Sequence, residues 1–255
     1  MSERLRLRDW QWGVLGMLVI LTAWQLYGSF TNPFFLPPPT RVWNELATYI
    51  TSGLLAREIQ HTILLLVVGL ALGALVGIPA GLILGVSPTA SAVLAPYIQA
   101  AYATPRIALI PVVIIWFGVG LEGSIVLVFL QCVFEILITV EAGARAVSGQ
   151  FVEVARSFRL SRLRTFVDVI APGSVPYIVS GLRLGLSNAF IGAIGAELFM
   201  ESRGIGGIVR QAGQAFRTDR VLAAVIVMAV LAVALIGAVR YWERRSQSWN
   251  VETFE

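Results

Sequence analysis

The residues that could do chemistry in this sequence are few, and three of them are charged side chains inside long apolar runs. These are Arg106, Glu135 and Glu197. An ionisable side chain at membrane depth is costly, so it pairs with an opposite charge or lines a polar path for a solute. We predict that Glu135 pairs with Arg106; a buried neutral carboxyl and a place on a solute path are the alternatives. All three residues are candidates for a translocation path.

Catalysis and metal binding have little support in the sequence. His61 is the only histidine and Cys132 the only cysteine, so neither an internal disulfide nor a Cys/His metal cluster can form. Gly204 and Gly206 do not belong to a phosphate-binding loop, because no GxxxxGK[ST] pattern is present and no predicted strand precedes them. We therefore expect a chain that binds no metal or cofactor itself and catalyses no reaction.

The composition is typical of a membrane protein. The chain has 255 residues, of which 57% are hydrophobic and 13% charged, and its mean hydropathy is +0.79. Because a helical span needs roughly 20 apolar residues, this length holds about five to seven spans and leaves no room for a separate soluble domain. The net charge of +4 suits loops that face an anionic leaflet, and we expect no nucleic-acid partner.

About six apolar runs are long enough to span a bilayer, and together they predict an all-α polytopic fold. They are Gln11 to Phe30, His61 to Val86, Ala92 to Phe117, a run between Gly123 and about Val140, Leu184 to Met200, and Val221 to Val239. The first run exceeds the apolar core of a signal peptide and no A-x-A site follows it, so we interpret it as a retained helix. Arginines before it favour a cytoplasmic N-terminus.

A proline-rich segment, Asn32 to Pro39, separates the first two spans and cannot continue a helix. Thr40 is the predicted N-cap of a short amphipathic helix that lies on the outer membrane surface. Its predicted apolar face carries Val42, Trp43, Leu46, Tyr49 and Ile50. We accordingly divide the chain into residues 1–55, the first span with this surface helix, and residues 56–248, the core.

Two patterns of small or rigid residues indicate how the core spans pack. The second span carries a stripe of glycines at a spacing of four, namely Gly69, Gly73, Gly77, Gly81 and Gly85. That spacing puts them on one helix face, where a neighbouring helix can approach closely. The third span contains Pro96, Pro105 and Pro111, whose freed carbonyls need a neighbouring helix or a water-filled cavity.

The distribution of arginines suggests which loops face the cytoplasm. Six spans with a cytoplasmic N-terminus place both termini and the segment Arg145 to Arg183 inside, as the positive-inside rule requires. The loop between the last two spans violates the rule. It would face outward, yet it holds Arg203, Arg210, Arg217 and Arg220.

The basic segment Arg145 to Arg183 is helix-compatible, and a turn after Phe158 should break it into two short helical pieces. Val152, Ala155, Phe158 and Leu163 supply an apolar side. Physical reasoning alone leaves two interpretations equal: a solvated loop on the lipid headgroups, or a docking surface for a soluble partner.

The spacing of residues in this segment favours docking, because it resembles the EAA loop of ABC importer permeases. The pattern of that loop is E-A-A, then G, then I-x-L-P. Glu153, Ala155 and Pro172 match it outright, and Val169 stands for the isoleucine. Arg159 occupies the position of the glycine.

Further motifs resemble the nitrate, sulfonate, taurine and bicarbonate importer permeases in particular. They are TPRIALIPVVIIWFGVG (Thr104 to Gly120), SGLRLGL (Ser180 to Leu186), AELF (Ala196 to Phe199), RGIGGIV (Arg203 to Val209) and FRTDRV (Phe216 to Val221). The resemblance implies a multi-pass permease of the bacterial inner membrane that works by alternating access. It also implies a homodimer surrounded by lipid, two cytoplasmic ATPase subunits that bind ATP and Mg²⁺, and an extracytoplasmic solute-binding protein.

The same resemblance implies that the loop at about 145–175, between the fourth and fifth spans, forms coupling helices that insert into the ATPase. The residues carried over to that contact are Glu153, Ala155, Phe158, Arg159, Leu160, Ser161 and Arg162, with Pro172 at the end of the motif.

For the substrate we expect a small oxyanion such as nitrate, a sulfonate or taurine, by resemblance and because Arg106 would favour anions. Importers of vitamin precursors and aromatic heterocycles are the alternative within the same resemblance. A secondary transporter or channel that works without an ATPase is a more distant alternative, with Arg106, Glu135 and Glu197 as its ion path. An intramembrane enzyme lacks a Ser/His pair, paired aspartates or a His-rich site.

Overall fold

The computed structural model describes residues 3–246, and no strand occurs among them. The helices are α1 (Glu3–Phe30), α2 (Pro39–Thr51), α3 (Leu54–Val86), α4 (Pro88–Ala103), α5 (Ile110–Phe117), α6 (Leu121–Ser157), α7 (Arg162–Arg164), α8 (Ala171–Gly173), α9 (Val175–Phe199), α10 (Gly204–Gln214) and α11 (Thr218–Ser246). A 3₁₀ turn at Arg106–Leu109 precedes α5, and a π-helical stretch at Thr165–Ile170 joins α7 to α8. The predicted all-α fold class is confirmed, while the predicted end of the core at residue 248 lies outside the described residues.

Five helices of the described part are long and apolar enough to cross a membrane, or six if one bent pair counts as a single span. The five spans are Gln11–Phe30, Leu54–Val86, Leu121–Gly149, Val175–Phe199 and Thr218–Tyr241. We call the end of the bundle that carries Arg159 the turn end, and the opposite end, where α9 leads into α10, the α10 end.

The predicted third span is not one straight helix. Pro88–Ala103 and Arg106–Phe117 meet at an angle of 85°, because Thr104 takes an extended conformation before Pro105. A residue before proline is driven out of the helical region, and the proline lacks the N–H that would continue the ladder. The bend carries Arg106 toward α6.

The surface helix α2 exists, but the predicted N-cap is wrong. Its N-cap is Pro38, with Pro39 as the first helical residue, so Thr40 lies inside the helix. Its inner face carries Val42 and Tyr49, which are 2% and 6% exposed and pack against the end of α11. Trp43 and Ile50 of the predicted apolar face are 67% and 59% exposed, since they lie off that contact.

The predicted fourth span and the first piece of the basic segment are one continuous helix. α6 runs for 37 residues, from Leu121 to Ser157. No proline or glycine pair interrupts it between these residues, so nothing in the sequence forces a break at the membrane boundary. The turn after Phe158 is present, and the second piece is the short run from α7 to α8.

The predicted outer loop between the last two spans contains a helix, α10. The flanking spans are also longer than the hydrophobic runs that predicted them: α9 begins at Val175 and α11 at Thr218. Hydropathy marks only the apolar middle of such a helix, whereas polar residues in its terminal turns continue the hydrogen-bond ladder.

The core of the bundle is the contact between α3 and α6. All five glycines of the α3 stripe are buried and face α6. A Cβ built on Gly77 would lie 2.9 Å from the carbonyl oxygen of Val133, and one on Gly81 would lie 2.6 Å from that of Leu137. The two backbones thus approach too closely for any larger residue, the geometry expected of small-residue packing in membranes.

Candidate functional site

A groove between α4 and α6 is lined by several polar side chains. On α6 it is lined by a stripe at a spacing of three or four, consisting of Gln131, Glu135, Ile138, Ala142 and Arg145. Residues at that spacing share one face of a helix. The 3₁₀ turn and α4 supply the opposite wall with Arg106, Tyr102 and Gln99.

Arg106 and Glu135 meet in this groove as a loose ion pair. Arg106 Nη2 lies 3.9 Å from Glu135 Oε1, and the two side chains are 12% and 16% exposed. Arg106 Nη1 also donates to the carbonyl oxygen of Gln131 over 3.2 Å, and its guanidinium lies 5.3 Å from the centre of the Tyr102 ring. The pairing we predicted first is therefore present, and a cavity of about 330 Å³ lies beside it.

A second polar cluster lies in the same groove toward the turn end. Ser91 Oγ donates to Glu141 Oε1 over 2.7 Å, and Arg145 Nη2 lies 2.5 Å from the same carboxylate oxygen. Glu141 and Arg145 border a cavity of about 440 Å³ that also touches Gln99. Ser91, Glu141 and Arg145 were not among the residues predicted to line a path. The signal that could have found this cluster is the spacing of four between Glu141 and Arg145, which favours a helical ion pair.

Glu197 lies at the α10 end and is fully buried. Thr62 Oγ1 donates to its Oε1 over 2.6 Å, and the backbone N–H of Gly206 donates to its Oε2 over 2.8 Å. Both carboxylate oxygens are thus engaged inside the protein in this conformation. Its predicted place on a translocation path stays a prediction.

The N-terminus of α10 is held by side chains from other helices. Besides the Glu197 contact, Gly204 N–H donates to Glu58 Oε2 over 2.7 Å, and Ile205 N–H donates to Thr62 Oγ1 over 3.1 Å. A helix N-terminus has free N–H groups and a positive partial charge, so carboxylates stabilise it. Sequence reasoning missed this network, because its members are far apart in the chain.

The turn between α6 and α7 has a well-defined geometry. Arg159 has a positive φ of 55°, and Leu160 N–H donates to the carbonyl oxygen of Ala155 over 3.1 Å. This is a Schellman ending, in which the residue with positive φ is usually glycine. Arg159 therefore occupies a conformation that explains why the EAA pattern carries glycine there.

The rest of the turn presents apolar side chains to solvent. Phe158 and Leu163 are 77% and 73% exposed, whereas Ala155 is 4% exposed and anchors the turn. Ser161 Oγ accepts from Arg164 N–H over 3.4 Å and so caps α7. Glu153, Arg162 and Pro172 are exposed on the same end. Large apolar side chains exposed together on a polar loop are typical of a surface that binds a partner.

The fold resembles those of solved importer permeases. A structure described as an inward-facing conformation of the MetNI methionine ABC transporter matches 75% of this chain and 95% of its own, with a TM-score of 0.68 and 18% identity. An amino acid ABC transporter matches 78% of this chain and 97% of its own, with a TM-score of 0.66 and 16% identity.

Relatives of known name are closer in sequence. The taurine transport system permease protein TauC of Escherichia coli is 32% identical over 98% of this chain and 96% of its own length. The putative aliphatic sulfonates transport permease protein SsuC of Bacillus subtilis is 32% identical over 94% of this chain and 88% of its own. The putative aliphatic sulfonates transport permease protein SsuC of Escherichia coli is 34% identical over 91% of this chain and 89% of its own.

The family model described as the inner membrane component of binding-protein-dependent transport systems matches residues 77–248. That range contains the glycine stripe from Gly77 onward, the α4–α6 groove and the Arg159 turn. The chain belongs to this family and is a multi-pass inner-membrane permease of an ABC importer for small solutes.

Proposed function

We propose that this permease moves a small oxyanion, a sulfonate or taurine-like solute, along the α4–α6 groove. Support for the substrate comes from the printed names of the relatives and from Arg106, a cation held at membrane depth beside a cavity of about 330 Å³. A guanidinium is suited to bind the planar or tetrahedral oxygens of such anions.

One observation carries the mechanism: a single continuous helix, α6, lines the groove and leads directly into the turn. Glu135 and Ser157 lie on the same unbroken helix, about 33 Å apart at 1.5 Å per residue. A displacement of the turn would therefore move the groove as part of a rigid body, which is how helical elements relay switching motions.

In the proposed assembly the turn end faces the cytoplasm, as do both termini. Two copies of the chain form a homodimer in the lipid bilayer, and each turn, with Glu153, Phe158 and Arg162, docks on an ATPase subunit that binds ATP and Mg²⁺. A solute-binding protein delivers the solute at the α10 end. Uptake then follows from alternating access, in which the groove opens first to the α10 end and then to the turn end.

The substrate proposal is tested in proteoliposomes that hold the permease with its ATPase, with the binding protein outside. We expect ATP-dependent uptake of radiolabelled taurine or of an alkanesulfonate, and competition between the two. Uptake that is blocked only by a vitamin precursor or an aromatic heterocycle would contradict the oxyanion proposal. Uptake without any ATPase would contradict the coupling mechanism.

The orientation is tested by cysteine labelling. The native Cys132 is 0% exposed, so it gives little background. A cysteine introduced at Ser161 should react with a membrane-impermeant maleimide in inside-out vesicles and not in intact cells. Labelling in intact cells would reverse the proposed orientation.

A further inference from the structure

Two ion pairs line the α4–α6 groove, and the one formed by Arg106 and Glu135 is the more enclosed. Its side chains are 12% and 16% exposed, whereas Arg145, which pairs with Glu141, is 61% exposed. The fixed charges of the enclosed pair sum to zero. A solute that brings a net charge to this pair leaves one charge there uncompensated, which is costly away from water.

The Arg106–Glu135 pair lies at the boundary between two cavities of the groove. Gln131, one helical turn before Glu135 on α6, lines the cavity of about 330 Å³. Ile138, about one turn after Glu135, lines the cavity of about 440 Å³. A solute that moves along the groove from one cavity to the other therefore passes both charges.

The pair is loose enough for a solute to part it. The 3.9 Å between Arg106 Nη2 and Glu135 Oε1 exceeds the length of a hydrogen bond. Arg106 Nη1 is held separately by the carbonyl oxygen of Gln131 over 3.2 Å, and the Tyr102 ring lies 5.3 Å from the guanidinium. The guanidinium can thus keep its place while Nη2 exchanges the carboxylate for an oxygen of the solute.

A solute with only an oxyanion group meets opposing charges at this pair. Its oxygens are attracted to Arg106, but the Glu135 carboxylate, 3.9 Å from the same guanidinium, repels them. An ammonium group on the same solute removes this conflict, because it binds Glu135 while the oxyanion binds Arg106. Each protein charge then keeps a partner of opposite sign while the pair is parted.

We propose that the Arg106–Glu135 pair makes the groove selective for short zwitterions over simple anions. Arg106 binds the oxyanion group of the solute, and Glu135 binds an ammonium group placed close to it. Glu135 is then a specificity-determining residue, and the permease selects its solute in addition to the binding protein. The inference rests on the proposed function, which places the solute in this groove.

The test compares taurine with isethionate, the same sulfonate with a hydroxyl group in place of the ammonium group. Ala103→Cys introduces a thiol at an exposed position that lines the cavity of about 330 Å³. The native Cys132 is 0% exposed and gives little background. The purified permease–ATPase complex, in nanodiscs and without a binding protein, is treated with a small water-soluble thiol reagent, and each solute is titrated for its protection of the introduced thiol.

With Glu135 in place, we expect taurine to protect the thiol at a concentration about tenfold below that of isethionate, the effect of one charge-assisted bond. Glu135→Gln keeps the size of the side chain and removes its charge. It should weaken protection by taurine and strengthen protection by isethionate, so that the two concentrations agree within about twofold. A purely structural role would shift both solutes in the same direction.

Glu122→Gln is the matched control, because it makes the same change at an exposed position in the first turn of α6. It should keep the preference for taurine. Elution profile and Tm establish that each variant is folded. The comparison with Glu135 in place needs no change at that residue, so it tests the proposal even where Glu135→Gln unfolds.

The outcomes separate this inference from the function on which it rests. Equal protection by taurine and isethionate with Glu135 in place would overturn the selection of zwitterions and leave the groove as the path. A preference for taurine that survives in Glu135→Gln would overturn the role of Glu135. If neither solute slows the labelling, the groove holds no such solute, and the proposed function fails together with this inference.

Discussion

Thr62 Oγ1 donates a hydrogen bond of 2.6 Å to Glu197 Oε1 and so joins α3 to α9 where both side chains are fully buried. The same hydroxyl oxygen accepts Ile205 N–H over 3.1 Å. One short side chain therefore ties three helices together, and the carboxylate of Glu197 completes the cap of α10. A buried polar network of this kind is stabilising only while all its members are paired.

Glu197→Ala should destabilise the protein, because it leaves the Gly206 N–H without its acceptor and the Thr62 hydroxyl with only the longer bond, of 3.2 Å, to the Glu58 carbonyl oxygen. Each unsatisfied buried donor costs about 1–3 kcal/mol. The measurement is the Tm of the purified permease in detergent, with Glu122→Gln as the control, since Glu122 is exposed in the first turn of α6. An unchanged Tm with lost uptake would instead indicate that Glu197 acts on the solute path.

Gly77→Ala should disturb the α3–α6 contact. The new Cβ would lie 2.9 Å from the carbonyl oxygen of Val133 and 3.1 Å from Ile136 Cβ. Overpacking of this kind costs about 1–3 kcal/mol. Gly195→Ala is the matched control, because a Cβ at that helical position meets nothing within 4 Å; it should be neutral or slightly stabilising. Equal Tm values for the two variants would contradict the packing role of the stripe.

Arg159→Gly should stabilise the turn, because glycine adopts a positive φ without the clash that Arg159 makes at 55°. The clash costs about 1–2 kcal/mol of folding free energy, which glycine would regain. Glycine also loses more conformational entropy on folding than arginine does, and this loss cancels about 0.5–1 kcal/mol of the gain. The net gain is read as a rise in Tm.

The same substitution at Arg162 is the control for this prediction. Arg162 begins α7 with ordinary helical geometry, so Arg162→Gly should lower stability. If both variants shift the Tm in the same direction, the conformation of Arg159 is not the cause. ATPase co-purification with Arg159→Gly measures separately whether its guanidinium contributes to docking.

Arg106→Gln should reduce uptake of an anionic solute by about tenfold or more, a loss of about 1.4 kcal/mol or more. It also leaves Glu135 without its cation in a groove where it is 16% exposed, and such a charge is costly. The double variant Arg106→Gln with Glu135→Gln removes both charges. It should recover the Tm but not the uptake; recovery of both would mean that the pair only stabilises the fold.

Much of this molecule could be predicted from the sequence, because the signals are local. Hydropathy marks each span, since every backbone group in lipid must be satisfied within a helix. The glycine spacing on α3 predicts a close contact. The positions of Glu153, Ala155 and Pro172 along the chain were enough to indicate the turn and its family, because that motif is contiguous.

Tertiary structure decided what depends on residues far apart in the chain. No pattern in the sequence indicates that Glu197 and Glu58 converge on α10, or that the 85° bend brings Arg106 to Glu135. The arginines of the predicted loop before α11 illustrate the difference most clearly. Their number was visible in the sequence, where it conflicts with the positive-inside rule for the predicted orientation. Their surroundings were decided by the fold, in which Glu45, far away in the chain, accepts from the guanidinium groups of Arg217 and Arg220 and is less exposed than either arginine.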